Sequence, residues 1–333
     1  MNGLDLLRQG FSKHQAGKVE QAAVDYRRAI SIEPGLGDAL YLLGVGVHGA
    51  WPEAAGVMMA RALAAEPTRV DFGFAVAKIL VDRGDYPNAA RLARRALVLE
   101  PSQLELKTSL AAIGSILYAR TQGRADPAFL GRTYDDLGPR LTPNPYAKRL
   151  RTWVEPLLPT IGREGSRRLL DIGCGTGPIG DEFHSWFGSL TGCDMSERSL
   201  RIALSKGRYL RLVKADIMDF LRAEPAGSYD MVTAAGSFCY FGDLSELLAL
   251  SRNVLVDGGL IAFTIFRSEH PEPERDPQKE VYGIFKHSEA YIEKVAADAN
   301  LSVAVVGRDL KIFDEGKRDI VDDLYVLRKQ SSA

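Results

Sequence analysis

Hydrophobic positions in the first 120 residues fall into a block that is written three times: AAVDYRRAISIEP, EAAGVMMARALAAEP and NAARLARRALVLEP. Ala22, Ala55 and Ala89, then Ala29, Ala62 and Ala96, precede Pro34, Pro67 and Pro101, a period of 33 to 34 residues. A period in that range predicts stacked helix pairs rather than a single closed core. Small residues let two antiparallel helices approach, a large one fills the seam, and proline starts the next connection. Tyr26 and Met59 are the large residues, whereas the third block has Ala93, with Leu92 beside it. Gly10 and Gly44 fall in the first helices, and Gly17 and Gly84 in the inner turns. The second unit is one residue short near Gly49 to Trp51, which predicts an altered turn there.

The block resembles the tetratricopeptide repeat. The resemblance implies a domain over residues 1–120 of three repeats closed by a capping helix, Gln103–Tyr118, whose Leu104, Leu106, Leu110, Ile113 and Leu117 have helical spacing. Such arrays offer a concave surface that docks peptides or proteins, so a protein partner is expected on the repeats; the alternative is an architectural arm. Residues 121–145 are rich in Gly, Pro, Asp and Asn and lack clear periodicity, marking a linker or entry segment. Tyr146–Leu158 reads as a helix bent at Pro156 and ended by Pro159.

From Arg168 the period changes to short apolar runs, each followed by a turn, as in buried parallel strands. RRLLDIGCGTG is a strand that breaks at Gly173, Gly175 and Gly177, and a helix-compatible PIGDEFHSWF follows. Glycine there lets a ligand reach the backbone at a strand end. A nicotinamide-dinucleotide site needs a further glycine where Pro178 stands, so that reading loses. A second strand, SLTGCDMS, ends in Asp194, whose carboxylate suits two ribose hydroxyls.

With Asp171 two residues before Gly173, the loop resembles the first motif of class I S-adenosylmethionine-dependent methyltransferases. The fold class expected is therefore α/β: an all-α repeat domain, then a Rossmann-like seven-stranded domain over residues 146–333. The resemblance implies cofactor contacts from Asp171, Gly173, Cys174, Gly175 and Gly177, and from Asp194 and Met195. It places Asp171 and the backbone near Gly173 at the methionine end, Ala215, Asp216 and Ile217 at the adenine, and Ala235, Gly236 and Ser237 by the sulfonium. In relatives fused to such repeats, a segment like TYDDLGPRL closes the cofactor pocket, which assigns Tyr134 there, and the Tyr-x-Gly-Asp-Leu ending of SFCYFGDL resembles the same group, which assigns Tyr240 over the substrate. LSVAVVGRD and DDLYVLRK supply the antiparallel sixth and seventh strands.

Methyl transfer needs a general base only for a protonated acceptor. His14 and His48 lie in the repeats and His184 behind the loop, and all three read as structural; His270 opens a polar stretch read as a lid. In the fused relatives a similar His-Ser pair precedes the corresponding helix, which implies a substrate-side role for His287, before the Ser288 helix cap, with capping or packing as its alternative. Lys311 stands where the fused relatives often carry arginine, which removes support for an anionic substrate site.

Forty-two basic residues against forty-three acidic ones leave no field to attract nucleic acid or an anionic membrane. No NPPY or DPPY follows the fourth strand, against base or glutamine methylation. Cys174, Cys193 and Cys239 lack the paired spacing of a zinc site, so no metal is expected. The first residues lack the apolar core of a signal peptide and no run suggests a membrane span, so a cytoplasmic location is expected. The function expected is methyl transfer from S-adenosylmethionine, releasing S-adenosylhomocysteine, to a small molecule or carrier-bound intermediate. Its rivals are a protein methyltransferase recruiting through the repeats and a non-catalytic scaffold.

Overall fold

The computed structural model describes residues 1–140, 145–277, 279–313 and 319–331, and it divides into two compact units, Met1–Leu117 and Tyr118–Ala333.

The first unit is a run of helix pairs: α1 (Gly3–Gln15) with α2 (Val19–Ile32), α3 (Gly37–Val47) with α4 (Pro52–Ala65), and α5 (Val70–Asp82) with α6 (Tyr86–Leu99). Each of the six repeated alanines is buried. A Cβ on Gly10 would stand 2.7 Å from the Tyr26 ring, and one on Gly44 would stand 2.8 Å from Met59 Cγ, so glycine at those positions is what admits the large residue. In the third pair two alanines, Ala77 and Ala93, are buried instead. Gly17 and Gly84 turn with φ of +75° and +73°. The shortened second unit turns without a left-handed glycine, through the Trp51 N–H donating to the Val47 carbonyl at 2.8 Å.

Helix α7 (Leu104–Gln122) contains the boundary between the units. The segment expected to be an aperiodic linker carries a helix, α8 (Pro127–Leu137). Asp126 starts it by accepting the N–H groups of Ala128 and Phe129 at 2.9 and 3.3 Å, and Pro127 occupies the first helical position, where no N–H is needed. Helix α9 (Pro145–Val154) then gives way to a 3-10 turn, Glu155–Thr160, at the two prolines.

The second unit is built on a mixed sheet. Strands β1 (Arg168–Ile172), β2 (Ser189–Asp194), β3 (Arg211–Lys214), β4 (Tyr229–Ala234) and β5 (Leu255–Arg267) run parallel in the order β3-β2-β1-β4-β5. Two strands, β8 (Leu301–Phe313) and β9 (Asp319–Lys329), pair with each other, and β9 joins β5 antiparallel. The expected seven strands are joined by two more among the described residues, β6 (Glu274–Arg275) and β7 (Phe285–His287), at the far end of β5. With two and three residues they are too short to show a period in sequence.

Successive strand residues go to opposite faces. Leu170, Val232, Phe263 and Tyr325 pack with Ile292 of α14 (Glu289–Asp298) on one face, while Leu169, Met231, Ala262 and Val326 pack with Phe183 of α10 (Pro178–Phe183) on the other. Strand order reverses between β1 and β4, and at such a switch point the carboxyl ends of the strands leave a crevice.

Candidate active site

At the carboxyl end of β1, Gly173, Gly175 and Gly177 have φ of +72°, +52° and +83°, which side-chain-bearing residues resist. Their surroundings differ. A Cβ on Gly173 would lie 2.7 Å from Ser237 Cβ and one on Gly177 would lie 3.0 Å from the Tyr209 ring, whereas one on Gly175 meets nothing within 4 Å. Two glycines therefore serve packing, and the middle one faces open space. The loop is tied to β2 by the N–H groups of Gly173 and Cys174, both donating to the Cys193 carbonyl at 2.8 and 3.0 Å. Cys174 has a buried side chain, so the loop offers only its backbone at that position.

Asp194, at the end of β2, accepts the Gly175 N–H on Oδ2 and the Ser196 N–H on Oδ1, each at 2.8 Å. The carboxylate is thus fixed in register with the open glycine and remains half-buried, with lone pairs for further donors. Burial raises its pKa, against the opposing pull of these amide hydrogen bonds.

Asp171 departs from expectation. It is buried, with Oδ1 accepting from the Thr233 hydroxyl at 2.9 Å and Oδ2 from the Tyr209 hydroxyl at 2.7 Å. Burial pushes its pKa up to about 7. Tyr209 in turn accepts the Gly180 N–H at 3.0 Å, so Asp171 joins β1, β4 and the start of α10 behind the loop rather than facing a ligand.

Asp216 is likewise engaged. It caps α12 (Ile217–Ala223) through the Met218 N–H at 3.0 Å and forms a two-pronged ion pair with Arg124, which also lies over the Phe241 ring. The adenine amine expected for it meets a carboxylate already held by a guanidinium. Ala215 and Ile217 beside it are half-buried. At the end of β4, Ala235 and Gly236 are half-buried, while Ser237 turns inward and donates to the Ile172 carbonyl at 3.0 Å. Its side chain braces Gly173 instead of bordering the expected sulfonium.

Tyr134 and Tyr240 come together across 106 residues of sequence: their hydroxyls are hydrogen-bonded and their rings meet edge to face at 6.2 Å. Helix α8 holds this pair because Asp135 accepts from the Ser196 hydroxyl at 2.8 Å and from the Arg198 N–H at 3.0 Å, and Gly131 lets the helix approach the Met195 carbonyl. Burial raises both phenol pKa values, Tyr134 to about 12, so the pair stays protonated at neutral pH.

His287 is fully buried on β7, donates from Nε2 to the Gly242 carbonyl at 3.0 Å and stacks on Tyr291. Its environment is that of a packing residue which holds the Gly242 turn. Burial lowers its pKa to about 4. Between about pH 6.5 and 4 the unfolded chain binds this proton and the folded one does not, so stability present above pH 6.5 is lost on acidification, by on the order of 3 kcal/mol in all. Asp171 and Asp322, both raised to about 7, act in the opposite sense over part of this range. The measurable quantity is therefore a difference: urea midpoints of wild type and His287→Phe should converge as pH falls from 7 to 4.5, and parallel curves would refute the linkage.

His270 is exposed, and the polar stretch after it forms β6 and a helical turn, Glu280–Tyr282. The Lys311 side chain lies outside the described residues. Arg124, Asp135, Tyr146 and Asp322 escaped the sequence analysis; the Tyr146 ring stands 3.4 Å from where a Cβ on Gly236 would be, and its phenol donates to Asp322. For Asp322 a signal existed, since DDLYVLRK opens an apolar strand with two acids, and both are buried.

A family profile described as "Methyltransferase domain" matches residues 169–259. A protein of Geobacillus sp. (strain WCH70) named "Putative methyltransferase" is 31% identical over 187 residues, 53% of this chain and 72% of that protein. The chain belongs to the S-adenosylmethionine-dependent methyltransferases. This methyltransferase is also 29% identical over 115 residues to a ubiquinone biosynthesis O-methyltransferase of Bordetella avium (strain 197N), covering 34% of the chain and 46% of the relative. It is 31% identical over 110 residues to a malonyl-[acyl-carrier protein] O-methyltransferase of Halalkalibacterium halodurans, covering 31% and 41%. The methyltransferase thus spans about half the length of these curated relatives. Among solved structures, the N-methyltransferase NodS of Bradyrhizobium japonicum WM9 matches with a TM-score of 0.46 and 19% identity, over 62% of this chain and all of that one.

Proposed function

We propose that this chain transfers the methyl group of S-adenosylmethionine to a small molecule or carrier-bound intermediate. The observation that carries the reading is the fixed pair of Asp194 and the unobstructed Gly175 at the carboxyl ends of β2 and β1. S-adenosylmethionine supplies an activated methyl group on a sulfonium. The residues present fit it: Asp194 accepts from the ribose hydroxyls, the backbone of Gly173, Cys174 and Gly175 takes the methionine end, and Ala215 and Ile217 border the adenine. Met195 follows the ribose acid, and Ala235 and Gly236 border the transferring carbon. Tyr134 and Tyr240, hydrogen-bonded to each other, close the cleft and leave the protein's task mainly one of positioning.

The acceptor class rests on the relatives named for ubiquinone biosynthesis and for malonyl-carrier methylation. The first unit is read as a tetratricopeptide-repeat module that docks a protein or recruits substrate, on the strength of its period and its glycine-lined helix pairs. No helix among the described residues is long and apolar enough to cross a membrane. Tritiated methyl groups offered with the enzyme and a cell lysate should enter the low-mass fraction, either directly or after mild hydroxylamine cleaves carrier thioesters. Polypeptide label that resists this cleavage would favour a protein methyltransferase instead.

A further inference from the structure

At the site end of the sheet, β9 presents two adjacent acids to opposite faces. Asp323 is paired with the guanidinium of Arg267, its Oδ2 accepting from Nε at 2.8 Å. Asp322 stands at the register position of Phe266, near the carboxyl end of β5. It accepts a hydrogen bond from the Tyr146 phenol, is 1% exposed, and its Oδ1 has no hydrogen-bond partner among the described residues. Buried carboxylate oxygens are rarely left unpaired without a functional reason. Tyr146 reaches from this acid to the transfer site: its ring lies 3.4 Å from where a Cβ on Gly236 would be, and Gly236 follows the end of β4.

We propose that Asp322 accepts the proton of a hydroxyl group on the methyl acceptor, with Tyr146 as its positioning residue. The proposal rests on the methyl-transfer reading above and adds the acceptor's chemistry to it. In the step, the acceptor oxygen bonds to the methyl carbon, the carbon–sulfur bond breaks with its electron pair going to sulfur, and the O–H proton passes to Oδ1. The sulfonium's positive charge and the carboxylate's negative charge disappear together, leaving an ether, a thioether and a carboxylic acid.

A neutral hydroxyl suits the surroundings better than an ammonium group. Lys279, over the Phe266 ring at 5.0 Å, and Arg149 both contribute positive charge at Asp322. Tyr134, Tyr146 and Tyr240 supply aromatic rings near the transfer site, apt for a planar acceptor such as a phenol. Among the described residues, the groups facing Asp322 are Tyr146 and Arg149 from α9, Lys279 before the Glu280 turn, Asp323 on its own strand, and Cys239 after β4. Burial lifts its pKa to about 7, the range in which a base works best at neutral pH.

The test uses the full chain, tritiated S-adenosylmethionine, and two probes: catechol, which must lose a proton, and thiophenol, which is largely ionised at neutral pH. S-adenosylhomocysteine affinity is measured in parallel. Asp322→Asn is expected to lower catechol methylation about 100-fold and to remove the rise in rate through pH 7, with thiophenol methylation kept within about three-fold. Tyr146→Phe should move that rise to higher pH, because the phenol's hydrogen bond favours the ionised acid.

Catechol methylation by Asp322→Asn within about three-fold of wild type, with the same pH profile, would overturn the proposal. So would a wild type that binds S-adenosylhomocysteine yet leaves catechol unmethylated. Failure of wild type to bind S-adenosylhomocysteine would instead overturn the methyl-transfer reading itself. Where Asp322→Asn loses that binding through misfolding, the Tyr146→Phe profile decides, and an unmoved rise counts against the proposal.

Discussion

Replacing Asp194 with alanine is expected to weaken S-adenosylhomocysteine binding by about 30-fold, as measured by calorimetric titration. A hydrogen bond to a charged group contributes about 1.5–3 kcal/mol, and about 2 kcal/mol corresponds to a factor near 30. The carboxylate has two tasks, because it also accepts the Gly175 and Ser196 amides and so holds the loop in the shape the ligand meets. Asp194→Asn offers only one acceptor oxygen, and it should fall between wild type and alanine. Affinity within about three-fold of wild type for Asp194→Ala would remove this residue from the ribose role.

The second large effect separates two glycines of one loop. Gly173→Ala combines a left-handed backbone with a Cβ 2.7 Å from Ser237, and is expected to destabilise the protein by about 3 kcal/mol, lowering its Tm by roughly 10 °C. Gly175→Ala has the backbone strain alone, since its Cβ enters open space, and should cost only about 1 kcal/mol. Yet that open space is where the ligand approaches, so Gly175→Ala should lose more S-adenosylhomocysteine affinity than stability. Equal thermal shifts for the two variants would show that the loop's glycines are not divided in this way.

This division also marks what sequence makes legible. The spacing of Gly173, Gly175, Gly177 and Asp194 points to a ligand at a strand end, because a backbone turn and a strand-terminal acid are local features. Strand identity in β1 to β5 is readable for the same reason, from short apolar runs with turns between them. The direction in which a side chain points is not local. Asp171 in the loop motif and Ser237 after β4 both turn inward, because Tyr209, Thr233 and the Ile172 carbonyl are there to receive them. Asp216 is claimed by Arg124, a residue 92 positions earlier in a segment whose composition suggested only a linker.

Tyr134 and Tyr240 were individually legible, whereas their hydroxyl contact depends on α8 being anchored through Asp135 to the start of α11 (Glu197–Ser205). His287 attracts attention in sequence as a titratable group beside a helix cap, and burial then removes its charge. Asp322 is the converse: an acid in an apolar strand, unremarkable in spacing, whose partner Tyr146 comes from α9. Nothing in a one-dimensional pattern joins those two residues.

The claim on which the rest depends is that the crevice at the carboxyl ends of β1, β2 and β4 takes S-adenosylmethionine rather than a dinucleotide. Titrating the purified chain with S-adenosylhomocysteine and, separately, with NAD tests it most directly. The account predicts saturable binding of one S-adenosylhomocysteine per chain and no binding of NAD, whereas NAD binding, or no uptake of S-adenosylhomocysteine, would contradict it.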